Sequence, residues 1–334
     1  MKKRLLGTLL ACTLGIISTG CERETTKNID DWKNSSISVF VPGSAGGGSD
    51  LTTRALTNNW QTIEPSLKLS VENFDNTAVC YQTIKGEKPD GSKLSLAHSG
   101  LLTQYLTGSL DVNPETDLTL IAALGNNGIR AIAARADAPY DTFEEFLEYA
   151  KANPGGVNAG MAPNGTNHFL LGKMEAALDV KFNYVEASNE ADRLTGLAGG
   201  FIDIGSINLS SGIEYETAGK LKVLCTVGAT GSVSEEYYEN RPDNFKTMEE
   251  MGYNCAIGTN YYIFGPADMD EEMVESMNKS LQPIGDKESS FFKEMSGLGQ
   301  YGQWYNVEES KKILADEIVQ MTEVAKNIGI YGLE

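Results

Sequence analysis

Cysteine, histidine and positive charge are all scarce in this chain. Five cysteines occur in 334 residues, Cys12, Cys21, Cys80, Cys225 and Cys255, with no CxxC spacing among them. That argues against a zinc ribbon and a disulfide scaffold. Cys80, Cys225 and Cys255 can form one bridge at most, and three buried free thiols is the simpler reading. Two histidines, His98 and His168, leave little for a metal centre or a general base. Walker A, GxGxxG and GxSxG sequences are all missing, so phosphate-transfer and serine-hydrolase chemistry have no motif to stand on. The chain reads as a non-enzyme with no cofactor and no metal. Lysine and arginine number 27 against 46 acidic residues, a formal net charge of −19. That balance excludes nucleic acid and broad contact with anionic lipid. It does not exclude a small anion, because surface charges are screened beyond about 8–10 Å. A cleft lined by backbone N–H groups sets its own field.

Long hydrophobic runs are missing too, apart from residues 5–17, which are too few to span a bilayer. Lys2, Lys3 and Arg4 precede that run, so residues 1–20 have the form of an export signal. The signal ends Ile17-Ser18-Thr19-Gly20-Cys21, which resembles a bacterial lipobox, with Ser18 where leucine is usual. The expectation is lipidation at Cys21, a polar tether over 21–36, and an extracytoplasmic domain held at the membrane by its lipid. The alternative is ordinary secretion with Cys21 unmodified.

What is present is an alternation of strand and helix patterns. Period-two runs occur at 37–41, 67–72, 93–97, 118–124, 130–134, 157–160, 182–186, 201–205, 221–227 and 261–264. Helical spacing occurs at 142–153, 168–178, 190–199, 271–285 and 307–328. The fold class is therefore α/β, with open sheets whose ligand sites lie at the carboxyl ends of strands. Two junctions stand out. Ser44, Ala45, Gly46, Gly47, Gly48, Ser49 and Asp50 join the strand at 37–41 to a helix. Asn164, Gly165, Thr166, Asn167 and His168 join the strand at 157–160 to another. A turn of this kind offers free N–H groups and the positive end of a helix dipole to an anion. Two of them facing each other across a cleft hold a carboxylate from both sides.

At these residues the chain resembles the extracytoplasmic solute receptors of tripartite tricarboxylate transporters, the Bug or TctC-like family. The run Val41 to Asp50 is similar to the family's opening turn, and Lys88-Pro89-Asp90-Gly91 with Ser99-Gly100 to its next landmark. Tyr149 to Gly155, Gly160 to His168 and Leu197 to Asp203 continue the order, followed by Ala218 to Lys222 and Phe264 to Ala267. The resemblance implies a two-domain, type II-like periplasmic-binding-protein fold with two crossover strands. Domain 1 is expected from 37–128 plus 257–334, and domain 2 from 129–256. It also implies a monomer that takes a small organic carboxylate and hands it to the large and small membrane subunits of a transporter. The rival readings are a sensory receptor feeding a membrane histidine kinase and, more remotely, an enzyme.

Carried over residue by residue, the resemblance points to the two turns above as the grip on one carboxylate, with Ser99 and Asn208 as further candidates at strand ends. Asp50 reads first as a helix cap, and His168 as a helix-start residue satisfied by backbone. Arg130, Arg135 and Arg193 are each able to clamp a carboxylate, but read as solvated surface groups. One of Tyr261 and Tyr262 is expected to reach the cleft. Three departures matter: Gly43 in place of an aromatic residue, Asp75-Asn76-Thr77-Ala78 in place of glycines, and Glu186-Ala187-Ser188-Asn189 in place of a lysine-bearing segment. The last swaps a base for an acid and favours a ligand with one carboxylate, or one carrying an amine.

Overall fold

The computed structural model describes residues 29–228, 242 and 245–333. The proposed signal and Cys21 lie outside the described residues. The proposed tether is described from Ile29, where Ile29–Asn34 forms a short 3-10 helix rather than a loose arm. Trp32 is buried there against Trp60, with ring centres 5.7 Å apart, and its indole N–H donates to Ser276 Oγ at 3.1 Å.

The chain then alternates. The first lobe opens with β1 (Ser36–Pro42), α1 (Gly48–Ile63), β2 (Lys68–Phe74), α2 (Thr77–Lys85), β3 (Lys93–His98), α3 (Gly100–Leu106) and β4 (Leu118–Asn126). The second lobe holds β5 (Arg130–Arg135), α4 (Phe143–Ala152), β6 (Val157–Met161), α5 (Thr166–Leu178), β7 (Phe182–Glu186), α6 (Glu190–Ala198), β8 (Ile204–Asn208), α7 (Leu209–Thr217) and β9 (Leu221–Thr226). The chain returns with β10 (Asn260–Pro266), α8 (Glu271–Ser280), α9 (Ser290–Gly297), β11 (Tyr301–Gly302) and α10 (Val307–Asn327).

Two mixed sheets result. One runs β11-β4-β10-β3-β1-β2, and the other β7-β6-β8-β5-β9. In the first, β10 lies antiparallel between β3 and β4; in the second, β5 lies antiparallel between β8 and β9. Each sheet is therefore a parallel βαβ core into which a strand entering from the other lobe inserts. Strands β1, β3, β6 and β8 end at the same edge of their sheets, facing the crossovers at 127–129 and 257–259. α10 does not stay with the first sheet: Met321, Val324 and Ala325 pack into the core of the second lobe with Phe169, Leu170 and Met174.

Local chemistry explains most boundaries. Thr142 and Glu145 form a reciprocal capping box at α4, and Asn306 and Glu309 do the same at α10. The helix expected over 271–285 stops at Ser280, because Pro283 lets only a 3-10 turn follow. The strand expected at 201–205 begins at Ile204 instead. Gly200 at φ 73° reverses the end of α6, the Phe201 amide donates back to Gly196 O, and the Phe201 ring is 74% exposed. Cys80, Cys225 and Cys255 are buried and unpaired. Burial pushes the thiols of Cys80 and Cys255 up to about 12 and 11, which leaves them unreactive.

Candidate functional site

Between the lobes lies a cleft of about 540 Å³. Its walls begin with the two turns. β1 ends at Pro42, and the chain reverses through Gly46 at φ 81°, a conformation that favours glycine. Two bonds close this turn: Gly47 N–H to Ser44 O at 3.2 Å, and Gly46 N–H to Asp50 Oδ2 at 2.8 Å. Asp50 also accepts from Arg54 Nε and Asn73 Nδ2, both at 3.0 Å. Burial pushes the Asp50 carboxyl up, but Arg54, the Gly46 amide and Asn73 outweigh it and hold it below its ordinary value. Asp50 is thus an ionised brace for the turn. The amides of Gly48 and Ser49, the first two of α1, make no hydrogen bond among the described residues, and both residues line the cleft.

The second turn is built on the same plan. Asn164 takes the left-handed conformation at φ 56°, which asparagine tolerates better than most residues. Asn167 Oδ1 accepts from Ala162 N–H at 3.0 Å, and His168 Nδ1 accepts from Asn164 N–H at 3.3 Å. The amides of Thr166 and Asn167, the first two of α5, make no hydrogen bond among the described residues, and both residues line the opposite wall.

Of the residues singled out from sequence, Ser44, Gly48, Ser49, Gly165, Thr166 and Asn167 meet in this cleft. The others have different places. Gly46, Gly47, Asn164 and Asp50 shape the turns behind it, Ala45 is exposed, and the His168 ring lies edge-on to Tyr184 at 5.2 Å. Ser99 is fully buried, donating to Glu317 Oε1 and accepting from Asn260 N–H at 2.7 Å. Asn208 caps α7 and donates to Gly299 O at 3.1 Å across the lobe boundary. Tyr261 is the tyrosine that faces the cleft, while Tyr262, one residue on, points to Glu317.

Two arginines correct the reading as surface groups. Arg193 is only 7% exposed and Arg130 largely covered; both line the cleft. Both guanidinium groups hang on Ser206 O, Arg130 Nη2 at 2.8 Å and Arg193 Nε at 2.7 Å. Arg130 also pairs with Glu190 at 2.7 Å. Burial, with Arg130 close by, brings Arg193 down to about 10, still charged at neutral pH. Arg135 is off the cleft, paired with Asp203 and Asp137. Glu186, the acid set against an anionic ligand, does not line the cleft either; Ser188 and Asn189 do. Arg193 falls in sequence on the stripe it shares with Gly196 and Leu197, the buried residues of α6, and that spacing was the available signal.

His98 completes the cleft's polar lining and was not among the residues assigned from sequence. Its Nδ1 accepts the Gly100 N–H at 2.9 Å, which places the proton on Nε2. A Cβ at Gly100 would come within 2.3 Å of the ring, so this contact needs glycine. Burial lowers the imidazole to about 4. Its ring shifts in NMR are expected to stay flat between about pH 5.5 and 8, where an ordinary histidine titrates; a titration midpoint above about 6 would contradict this environment.

The family model described as "Tripartite tricarboxylate transporter family receptor" matches residues 72–330. A Cupriavidus necator protein, "UPF0065 protein in gbd 5'region", is 21% identical over 306 residues, covering 90% of each chain. Among solved structures, a TctC solute binding protein from Polaromonas is 25% identical with a TM-score of 0.68, over 87% of this chain and 98% of that one. The R. palustris protein Rpa4515, solved with adipate, is 17% identical with a TM-score of 0.77, over 90% of this chain and 99% of that one. The family match begins after the first turn, so the placement of residues 44–50 rests on geometry alone.

Proposed function

The chain belongs to the tripartite tricarboxylate transporter receptor family, and from that premise we propose that it captures a small organic carboxylate between its lobes for delivery to a membrane transporter. The family is one of binding proteins, not enzymes. One observation carries the ligand class: two helix N-termini, one per lobe, present four amides that make no hydrogen bond among the described residues, on residues lining a single cleft. A helix end is worth up to about 2 kcal/mol to a partly buried anion, and a charge-assisted hydrogen bond about 1.5–3 kcal/mol. Micromolar binding needs about 8 kcal/mol, so these groups suffice after offsetting the cost of immobilising the ligand. The adipate held by the R. palustris relative belongs to the same chemical class. Delivery, closure of the lobes about the crossovers and a lipid anchor at Cys21 belong to this proposal. The anchor is supported by the signal-like residues 1–20.

Native mass spectrometry of the purified protein, followed by a thermal-shift screen of mono-, di- and tricarboxylates, tests the ligand class. A ligand at about 100 times its Kd adds roughly 2.7 kcal/mol, a rise of several degrees in Tm for a protein of this size. A panel in which no carboxylate shifts the transition, while uncharged solutes do, would defeat the proposal.

A further inference from the structure

Outside the cleft, the lobes meet again at the loop between α9 and β11. Asn208, at the end of β8, spends both ends of its amide there. Its Oδ1 accepts from Ser210 N–H at 3.0 Å and Ser210 Oγ at 2.7 Å, which caps α7. Its Nδ2 donates to Gly299 O at 3.1 Å. Gly299 is left-handed, at φ 69°, and a Cβ there would come within 2.8 Å of Asn208 Oδ1 and Ser210 Oγ. The same peptide presses on the first crossover, since a Cβ at Gly128 would come within 1.8 Å of Gly299 O. The two crossovers are themselves tied, Asn127 N–H to Thr259 O at 2.9 Å.

The next residue reaches the other way. Gln300 is 8% exposed. Its Oε1 accepts from Thr52 Oγ1 at 2.8 Å, and its Nε2 donates to the Tyr261 hydroxyl at 2.9 Å. Thr52 Oγ1 also lies 2.9 Å from Gly48 O, the first residue of α1. The Gln300 backbone is fixed by its N–H on Met295 O at 2.9 Å, and Tyr301 then pairs with Asn126 of β4. One peptide therefore separates a grip on the second lobe from a grip on the α1 turn. Buried and close-packed, it does not move at one end alone. Neither Asn208, Gly299 nor Gln300 lines the cleft, so whatever they do to affinity they do through other groups.

We propose that residues 298–300 are a latch that couples the second lobe to the α1 turn, with Asn208 and Gln300 as its positioning residues. This rests on the reading of that turn as a carboxylate site. With Asn208 on Gly299, lobes and turn keep the disposition that binds. Without it, part of the binding energy goes into restoring that disposition.

Two readouts test the latch: the amide resonances of Gly48 and Ser49 in the empty protein, and calorimetry with adipate as the probe. Asn208→Ser keeps a capping hydroxyl for α7 but is too short to hold Gly299. It is expected to shift both resonances and to weaken adipate about 3- to 10-fold, the worth of one neutral hydrogen bond. If that variant fails to fold, Asn208→Asp keeps the cap without the donor; it is read by the resonances alone, because its charge would itself weaken an anion. Gln300→Met leaves Thr52 on Gly48 O and is expected to cause a similar loss of affinity. Both substitutions cut one path, so the double variant is expected to lose no more than about twofold beyond the larger single loss. In the Gln300→Met background, Asn208→Ser should no longer move Gly48 and Ser49. Resonances that stay in place, adipate affinity unchanged or tightened by Asn208→Ser, or losses that multiply in the double variant each overturn the latch. The resonances need no ligand, so they decide it even for a parent that does not take adipate. If Gly48→Pro leaves affinity unchanged, the turn reading fails, while the resonances still report on the latch.

Discussion

Replacing Gly48 by proline is expected to weaken carboxylate binding by about 10- to 100-fold while leaving the empty protein as stable as its parent. Gly48 is the first residue of α1, where proline fits helical geometry and the N–H has no intrahelical partner. The preceding Gly47 is extended, at φ −76° and ψ 167°, as a residue before proline requires. A Cβ at Gly48 meets nothing nearer than Gln300 Nε2 at 3.8 Å. The substitution therefore removes one donor and little else. A charge-assisted bond of about 1.5–3 kcal/mol corresponds to that loss. Thr166→Pro is the counterpart in the other lobe, again at a first helical position behind an extended glycine, with φ −90° and ψ 170° at Gly165. The double variant is expected to lose about 100- to 10,000-fold if the two donors act independently. Calorimetry with the carboxylate found in the thermal-shift screen checks this, with Gly48→Ala as the control that keeps its N–H. Parent-like affinity in both proline variants would mean that the amides do not hold the ligand.

The second large effect concerns Glu317. Its carboxyl is 7% exposed and accepts from the hydroxyls of Ser99 and Tyr262, and the Asn260 amide completes the cluster through Ser99. Three elements meet there: the end of β3, the start of β10 and α10. Glu317→Ala strands two buried hydroxyls and opens a cavity, at about 1–3 kcal/mol for each unsatisfied group. We expect a loss of about 3–5 kcal/mol, read as a fall in the urea midpoint, against about 1 kcal/mol or less for Glu317→Gln. Burial is the main cause that raises the Glu317 carboxyl above its ordinary 4.5, against the lowering effect of Ser99 and Tyr262. A folded-state value above the unfolded one favours the protonated form in the native protein. Its stabilisation is therefore complete below about pH 4.5 and is lost as pH rises towards the folded value. The parent should thus lose stability relative to Glu317→Gln with rising pH, at up to about 1.4 kcal/mol per unit. A difference independent of pH between about 4 and 8 would show that Glu317 ionises as readily folded as unfolded.

Much of this architecture was legible because its units are local. Each strand, glycine turn and helix is written in about thirty consecutive residues by a change of period from two to 3.6. The glycines at 46–48 and 165 marked the two turns, and the helical spacing at 142–153 marked the helix that Thr142 and Glu145 cap. What escaped depends on distant partners. Ser99 looked like a strand-end ligand group, but Glu317, 218 residues away, satisfies it. Arg130 and Arg193 looked like solvated cations, and only the carbonyl of Ser206 and the carboxylate of Glu190 show how they are carried inside. Asn208 reads as a plausible cleft residue until Gly299 appears beside it. Phe201 is the reverse case: its hydrophobicity suggested a strand, but backbone bonds at the end of α6 turn it outward.

α10 belongs to both halves of the molecule. Ser310 accepts the Ala123 amide of β4, Glu317 accepts from Ser99 and Tyr262 of the first lobe, and one turn later Met321 enters the other hydrophobic core. No cut at the crossovers yields two self-sufficient pieces. An excised 129–256 segment would lay bare the apolar ground on which Val324, Ala325 and Ile328 now sit, and would be prone to stick to whatever covers it. A core begun at Ile132 is closed only by Met321, Val324 and Ala325, so during synthesis the second lobe stays unfinished until α10 has followed it.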